Sequence, residues 1–130
     1  MNKEFQVIKD LMQIAWEVRE HAYILGTTKV GCALISKKNQ IFSGCNVEQQ
    51  YRNHDVHAEV NAITNMISNG ERKFSAIVIV ANRDNFTPCG SCLDWIFQFG
   101  GENAIVAFQK DKTSDPVIFR AKQLMPFYPF

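Results

Sequence analysis

Six consecutive apolar residues, Ala76-Ile77-Val78-Ile79-Val80-Ala81, constrain the fold of this chain more than any other segment. With Ser75 they predict a strand that lacks polar alternation, and such strands are buried on both faces. A sheet buried on both faces needs a covering layer on each side. Six residues cannot cross a bilayer, so the run is a core strand and no membrane span.

The rest of the chain supplies those layers. Residues 3–24 place Phe5, Ile8, Leu11, Met12, Ala15, Val18 and Ala22 at helical spacing, with one face to bury. Residues 30–35 and 41–47 are β-rich runs separated by the polar turn Ser36-Lys37-Lys38-Asn39-Gln40, which predicts a hairpin. Asp55 or a neighbour opens a second helix, with Val56, Val60, Ile63 and Ile67 along one side and a stop at Asn69-Gly70. Thr87 as N-cap and Pro88 at the first helical position open a third, which runs through Leu93, Ile96 and Phe97 to Gly100-Gly101. Residues 104–108 and 116–120 predict two last strands. Their connection, Lys110 to Ser114, is too short for a crossover helix, so they pair antiparallel. The expected architecture is one α/β domain over residues 1–130, a sheet sandwiched by helices.

Charge and composition exclude several classes of function. The formal net charge is +1 and no basic stripe stands out, which argues against a nucleic acid polymer and for a small, nearly neutral ligand. Hydrophobic residues at 46% against 21% charged exclude a disordered chain. Met1-Asn2-Lys3-Glu4 has no apolar signal core, so a cytoplasmic protein is expected.

Two short segments carry the chemistry: His57-Ala58-Glu59, and Pro88-Cys89-Gly90-Ser91-Cys92. Each falls in the first turn of a predicted helix. Three residues apart on a helix, Cys89 and Cys92 share one face. The helix N-terminus lowers thiol pKa and favours the thiolate that a metal binds. Sulfur with imidazole selects zinc over magnesium or calcium. Three protein ligands leave one position open, the mark of catalytic rather than structural zinc. Glu59, two residues from a ligand, can face that position and move protons. Singly, Glu59 would read as a helix-start acid, and Cys89-x-x-Cys92 as a redox pair. A fourth ligand, His54, would close the site and make it structural. Cys32 and Cys45 lie in apolar runs and are expected to be buried free thiols.

The order H-x-E…P-C-x-x-C is the signature of zinc deaminases. The chain resembles the cytidine deaminase family from about residue 15 to residue 126. The resemblance is carried by Ala22-Tyr23, Val30-Gly31-Cys32-Ala33-Leu34, Gly44-Cys45-Asn46-Val47-Glu48, the two metal segments and Leu124-Met125-Pro126. It implies a three-layer α/β/α fold with a mixed five-stranded sheet and antiparallel final strands. It implies Zn²⁺ held by His57, Cys89 and Cys92, with Glu59 as acid–base, hydrolysing cytidine or deoxycytidine to the uracil nucleoside and ammonia in pyrimidine salvage. Asn46 and Glu48 then hydrogen-bond the sugar 3′-hydroxyl, and backbone groups near Ala58 and Cys89 meet the base edge. A homotetramer is expected in preference to a dimer, with sites near interfaces.

Three features depart from the family pattern. Many small members carry a third cysteine where His57 stands and an arginine where Val60 stands. Two thiolates and a neutral imidazole balance Zn²⁺, whereas three thiolates leave a negative excess that arginine offsets. Thr28 replaces an aromatic that packs on the pyrimidine region, after a shortened loop Ile24-Leu25-Gly26-Thr27. Leu93-Asp94 replaces a frequent Arg-Gln. His57 followed by Glu59-Val60-Asn61-Ala62 looks locally like the deoxycytidylate type. Two rival functions follow: deamination of a modified cytosine nucleoside such as blasticidin S, and a non-catalytic zinc-stabilised binding module. Phe86, Trp95 and the C-terminal Phe127 to Phe130 read first as core packing, with a pocket wall or subunit contact as the alternative.

Overall fold

A computed structural model of the chain describes residues 3–129, so Met1, Asn2 and Phe130 lie outside the described residues. The sheet has five strands in the order β2-β1-β3-β4-β5. β1 (Gly31–Ser36) pairs antiparallel with both β2 (Ile41–Cys45) and β3 (Phe74–Val80). β3 pairs parallel with β4 (Ile105–Gln109), and β4 antiparallel with β5 (Val117–Arg120). This is the mixed α/β sheet with an antiparallel final pair that the sequence implied.

β3 sits at the centre, and its side chains divide two cores. Ala76, Val78 and Val80 meet Ile8, Leu11, Met12, Ala15 and Trp16 of α1 (Lys3–Arg19) on one face. Ile77 and Ile79 meet Ala58, Ala62, Ile63 and Met66 of α2 (Ala58–Ser68), with Leu93, Ile96 and Phe97 of α3 (Gly90–Gly100), on the other. Alternation across a strand explains the unbroken apolar run: odd and even positions each face a covered layer. Trp16 belongs to the α1 core, where its indole N–H donates to Gln109 Oε1 at 2.6 Å. Cys32 and Cys45 are buried and free.

The boundaries that differ from expectation all lie near the site. α1 ends at Arg19, not residue 24, because the chain must turn to pair with β2's extension. Tyr23 N–H donates to Asn46 O at 3.1 Å, and Glu48 N–H donates to Tyr23 O at 2.8 Å. α2 is capped by His57 rather than Asp55, whose carboxylate instead accepts from Gln49 N at 2.7 Å and Arg52 Nε at 2.8 Å. α3 starts two residues beyond the expected Pro88. Its N-cap is Cys89, whose sulfur accepts from Cys92 N at 3.4 Å and so displaces Thr87 from that role. A four-residue helix α4 (Ala121–Leu124) follows β5, held by Gln123 Oε1 accepting from Arg120 N at 2.7 Å. No helix among the described residues is long and apolar enough to cross a membrane.

Candidate metal centre and active site

α2 and α3 cover the same face of the sheet, and their N-termini meet. The two N-cap residues, His57 and Cys89, are therefore neighbours in space although 32 residues apart in sequence. His57 Nδ1 stands 3.3 Å from Cys92 Sγ and 3.4 Å from Cys89 Sγ. All three donor atoms lie within 4.8 Å of one another. Zinc–sulfur and zinc–nitrogen bonds of about 2.3 and 2.1 Å at tetrahedral angles separate N from S by roughly 3.6 Å, close to what is seen. The donor set thus fits zinc. His54 is exposed on a 3-10 turn (Arg52–His54) and stands outside this group, so among the described residues the centre has three protein ligands.

The electrostatics argue for a cation at the same point. Burial pushes the Cys92 thiol far above its usual range, and the charges of Glu59 and Cys89 push it further. The sequence reasoning expected the helix N-terminus to lower this pKa. Instead the terminal N–H of Cys92 is directed at Cys89, and burial dominates at Cys92 itself. The buried Cys92 sulfur and Glu59 carboxylate, with the exposed Cys89 sulfur beside them, are stable together as anions only around positive charge.

Glu59 occupies the first turn of α2 and is 4% exposed. Burial raises its carboxyl above the ordinary carboxylate value, while its own backbone N–H, His57 and the Cys92 side chain pull the other way. A carboxyl raised towards neutrality and beside a metal-ligand set is suited to accept and return a proton.

A cavity of about 260 Å³ opens onto this group. All the expected substrate residues, Thr28, Asn46, Glu48 and Ala58, line it with Glu59, His57 and Cys89. Asn46 is fixed in place: its Oδ1 accepts from Val30 N at 2.8 Å and its Nδ2 donates to Thr28 O at 3.0 Å. Glu48 Oε1 accepts from Leu25 N at 2.7 Å and Gly26 N at 2.9 Å, and its Oε2 pairs with Arg52 Nη2 at 3.2 Å. The bonds from Gly26 and Leu25, then the Arg52 charge, hold the Glu48 carboxyl below its usual range. Ala58 is the first residue of α2, where a backbone N–H has no partner within the helix. Phe86 lines the cavity as well as packing on the core. Trp95 lies against Phe99 and the core and does not line it. Tyr128 stacks on Phe97 with ring centroids 4.2 Å apart.

Arg52, Asp55, Val56, Arg83 and Thr87 also line the cavity and were not anticipated as site residues. For Arg52 a signal existed, since it follows Glu48 by four residues. For Arg83 there was none, because an isolated arginine in a loop reads as a solvated charge.

Residues 6–108 match the family profile described as the cytidine and deoxycytidylate deaminase zinc-binding region. The chain belongs to this family. It is 32% identical over 94 residues to a cytidine deaminase of Sporosarcina psychrophila, covering 71% of this chain and 69% of that one. It is 28% identical over 99 residues to a blasticidin-S deaminase of Bacillus cereus, covering 69% of this chain and 71% of that one. The crystal structure of a cytidine deaminase from Burkholderia pseudomallei is similar at a TM-score of 0.83 and 29% identity, covering 91% of this chain and 95% of that one. The cytidine deaminase fold is therefore the frame on which His57, Glu59, Cys89 and Cys92 are set.

Proposed function

We propose that this deaminase-family chain hydrolyses the exocyclic amine of a cytosine nucleoside, cytidine or deoxycytidine, releasing ammonia. The observation that carries the reading is the convergence of His57, Cys89 and Cys92 beside the buried carboxyl of Glu59 at the floor of a nucleoside-scale cavity. Zinc, held by His57 Nδ1 and the two sulfurs, supplies Lewis acidity that makes water acidic near neutral pH. Glu59 accepts a proton from the attacking water, whose oxygen bonds to C4 of the ring. Glu59 returns that proton to N3. The proton of the new C4 hydroxyl follows the same route to the exocyclic nitrogen, the C4–N bond breaks, and ammonia leaves a uracil ring. Burial of Glu59 keeps bulk water from intercepting these transfers.

Asn46 and Glu48 hold a sugar hydroxyl. Each already makes structural bonds, and what remains includes one N–H on Asn46 and a free lone pair on Glu48 Oε2. One donor and one acceptor suit one hydroxyl. Cytoplasmic location and a homo-oligomer, tetramer before dimer, belong to the same reading.

A second reading, deamination of a modified cytosine nucleoside, is favoured by Thr28 on the cavity wall and by the similarity to a blasticidin-S deaminase. Ammonia release from cytidine, deoxycytidine and blasticidin S, measured on protein of known zinc content, separates the two. Turnover of the first two supports the main reading. Turnover of blasticidin S alone supports the second, and turnover of none overturns both.

A further inference from the structure

We infer that Arg19 is a positioning residue for sugar recognition: from behind the cavity it holds the peptide that holds Asn46. The inference rests on the deaminase reading above and goes beyond it by tracing sugar specificity to a residue that does not line the cavity.

Arg19 closes α1, and its side chain is only 16% exposed. The guanidinium carbon lies 5.3 Å from the ring centroid of buried Trp16. Nε donates to Lys29 O at 3.2 Å. Nη2 donates to the Asn82 amide oxygen at 3.0 Å, and the amide nitrogen donates to Lys110 O at 3.1 Å. Nη1 pairs with the exposed Glu20 carboxylate at 2.9 Å. The three nitrogens of one rigid fork thus reach separate segments of the chain. The start of β1 is pressed against the same residue, since a Cβ on Gly31 would stand 2.8 Å from Arg19 Cβ.

The place of two of those partners decides the role. Lys29 O and Val30 N belong to one planar peptide unit. Arg19 bonds the oxygen of that unit, and its N–H donates to Asn46 Oδ1 at 2.8 Å. The Asn46 amide nitrogen donates to Thr28 O, one peptide earlier, at 3.0 Å. Both ends of the Asn46 amide therefore rest on a segment that Arg19 holds. Asn82 immediately precedes Arg83, which lines the cavity with Thr28, Val30 and Asn46, whereas Arg19, Lys29 and Asn82 do not line it. Residues 28–30 and 82–87 belong to no helix or strand, so the guanidinium joins two pieces of cavity wall that no continuous ladder fixes. Asn46 keeps an N–H for a sugar hydroxyl, and such a bond weakens steeply with misalignment. Loosening the Lys29 peptide is felt by a substrate carrying that hydroxyl and not by one lacking it.

The test compares kcat/KM for cytidine and 3′-deoxycytidine, using the zinc-loaded full chain and its Arg19→Gln, Arg19→Lys and Asn82→Ala variants. A site built to bond a hydroxyl rejects the analogue lacking it, so wild type prefers cytidine by about a hundredfold or more. In Arg19→Gln the ratio falls about tenfold, as for loss of a charge-assisted bond, with zinc content unchanged. Turnover of 3′-deoxycytidine stays close to wild type. Arg19→Lys keeps the charge without the fork and recovers part of the ratio. Asn82→Ala alters an exposed partner and lowers the ratio in the same direction. Equal losses for both substrates mark a merely structural brace and overturn the inference alone. So does wild type that fails to prefer cytidine. A ratio that stays at wild type in Arg19→Gln or, should that variant not fold, in Asn82→Ala overturns it as well. No turnover of either substrate by wild type overturns the deaminase reading and the inference with it.

Discussion

Replacing Glu59 with glutamine separates what the carboxyl does for the reaction from what it costs the fold. The side chain is 4% exposed, and Gln has the same shape, so cavity and packing are preserved. What is lost is a group that takes up and returns protons. General acid–base groups contribute roughly 10²–10⁴-fold. With so little exposure at Glu59, solvent cannot substitute for it, and the upper part of that range applies. We expect kcat to fall about 10⁴-fold, or about 5 kcal/mol at 1.36 kcal/mol per factor of ten. The stability effect has the opposite sign. Burial raises the folded-state pKa of Glu59 above its ordinary value of 4.5. Ionised Glu59 therefore costs stability at pH above 4.5, and the cost is relieved as pH falls through the folded value. At neutral pH the metal-free Glu59→Gln protein should melt higher than metal-free wild type. The assay is ammonia release beside zinc quantification and a melting curve for each form. A variant that keeps its zinc and turns over within tenfold of wild type would show that Glu59 is not the proton carrier.

Three further outcomes follow from the structure. Gly44→Ala places a methyl 2.6 Å from Ala62 N and 2.7 Å from Asn61 Cβ, at the contact that seats α2 on β2. Backbone cannot yield there, so urea unfolding should show a loss of about 1–3 kcal/mol, with weaker zinc retention because His57 caps the displaced helix. Chelation should lower the melting temperature and added zinc restore it, by about 2.7 kcal/mol at a hundredfold excess over Kd; Cys92→Ala should abolish that response. Glu48, held ionised by Gly26, Leu25 and Arg52, contributes stability above its ordinary pKa of 4.5 that is lost as pH falls. Acid unfolding of Glu48→Gln should therefore depend less steeply on pH below 4.5 than that of wild type, and equal slopes would count against this assignment.

Legibility in the sequence tracked the range of the interaction that decides each feature. The 76–81 run announced a central strand, and its alternate side chains do divide between α1 and the α2–α3 layer. His57, Glu59, Cys89 and Cys92 were readable only as a set, through the order H-x-E…P-C-x-x-C, since Glu59 and the cysteine pair taken singly have other readings. The end of α1 was not. Ala22 keeps helical spacing, yet Tyr23 leaves the helix to bridge Val47, a partner 24 residues away. Likewise Thr87-Pro88 is a sound start signal overridden by a sulfur acceptor, which cap statistics built on oxygen do not weigh. α4 has four residues, below the length at which any periodicity shows. Arg83 enters the site through tertiary placement alone.

The substitution pattern around the ligands has an electrostatic logic that the structure makes concrete. A site with three thiolates and a neighbouring arginine reaches near-neutrality with zinc by adding a positive charge. Here Val60 is half-buried where that arginine would stand, and the nearby arginine on the cavity wall, Arg52, is already shared by Glu48 and Asp55. A third thiolate at position 57 would thus have no counter-charge, in a spot where burial, Glu59 and Cys89 already push the Cys92 thiol far up. His57 relieves this, since a neutral imidazole adds a ligand without adding charge. Its identity also frees the rest of the cleft. No cation near the ligands is then needed to offset the metal centre.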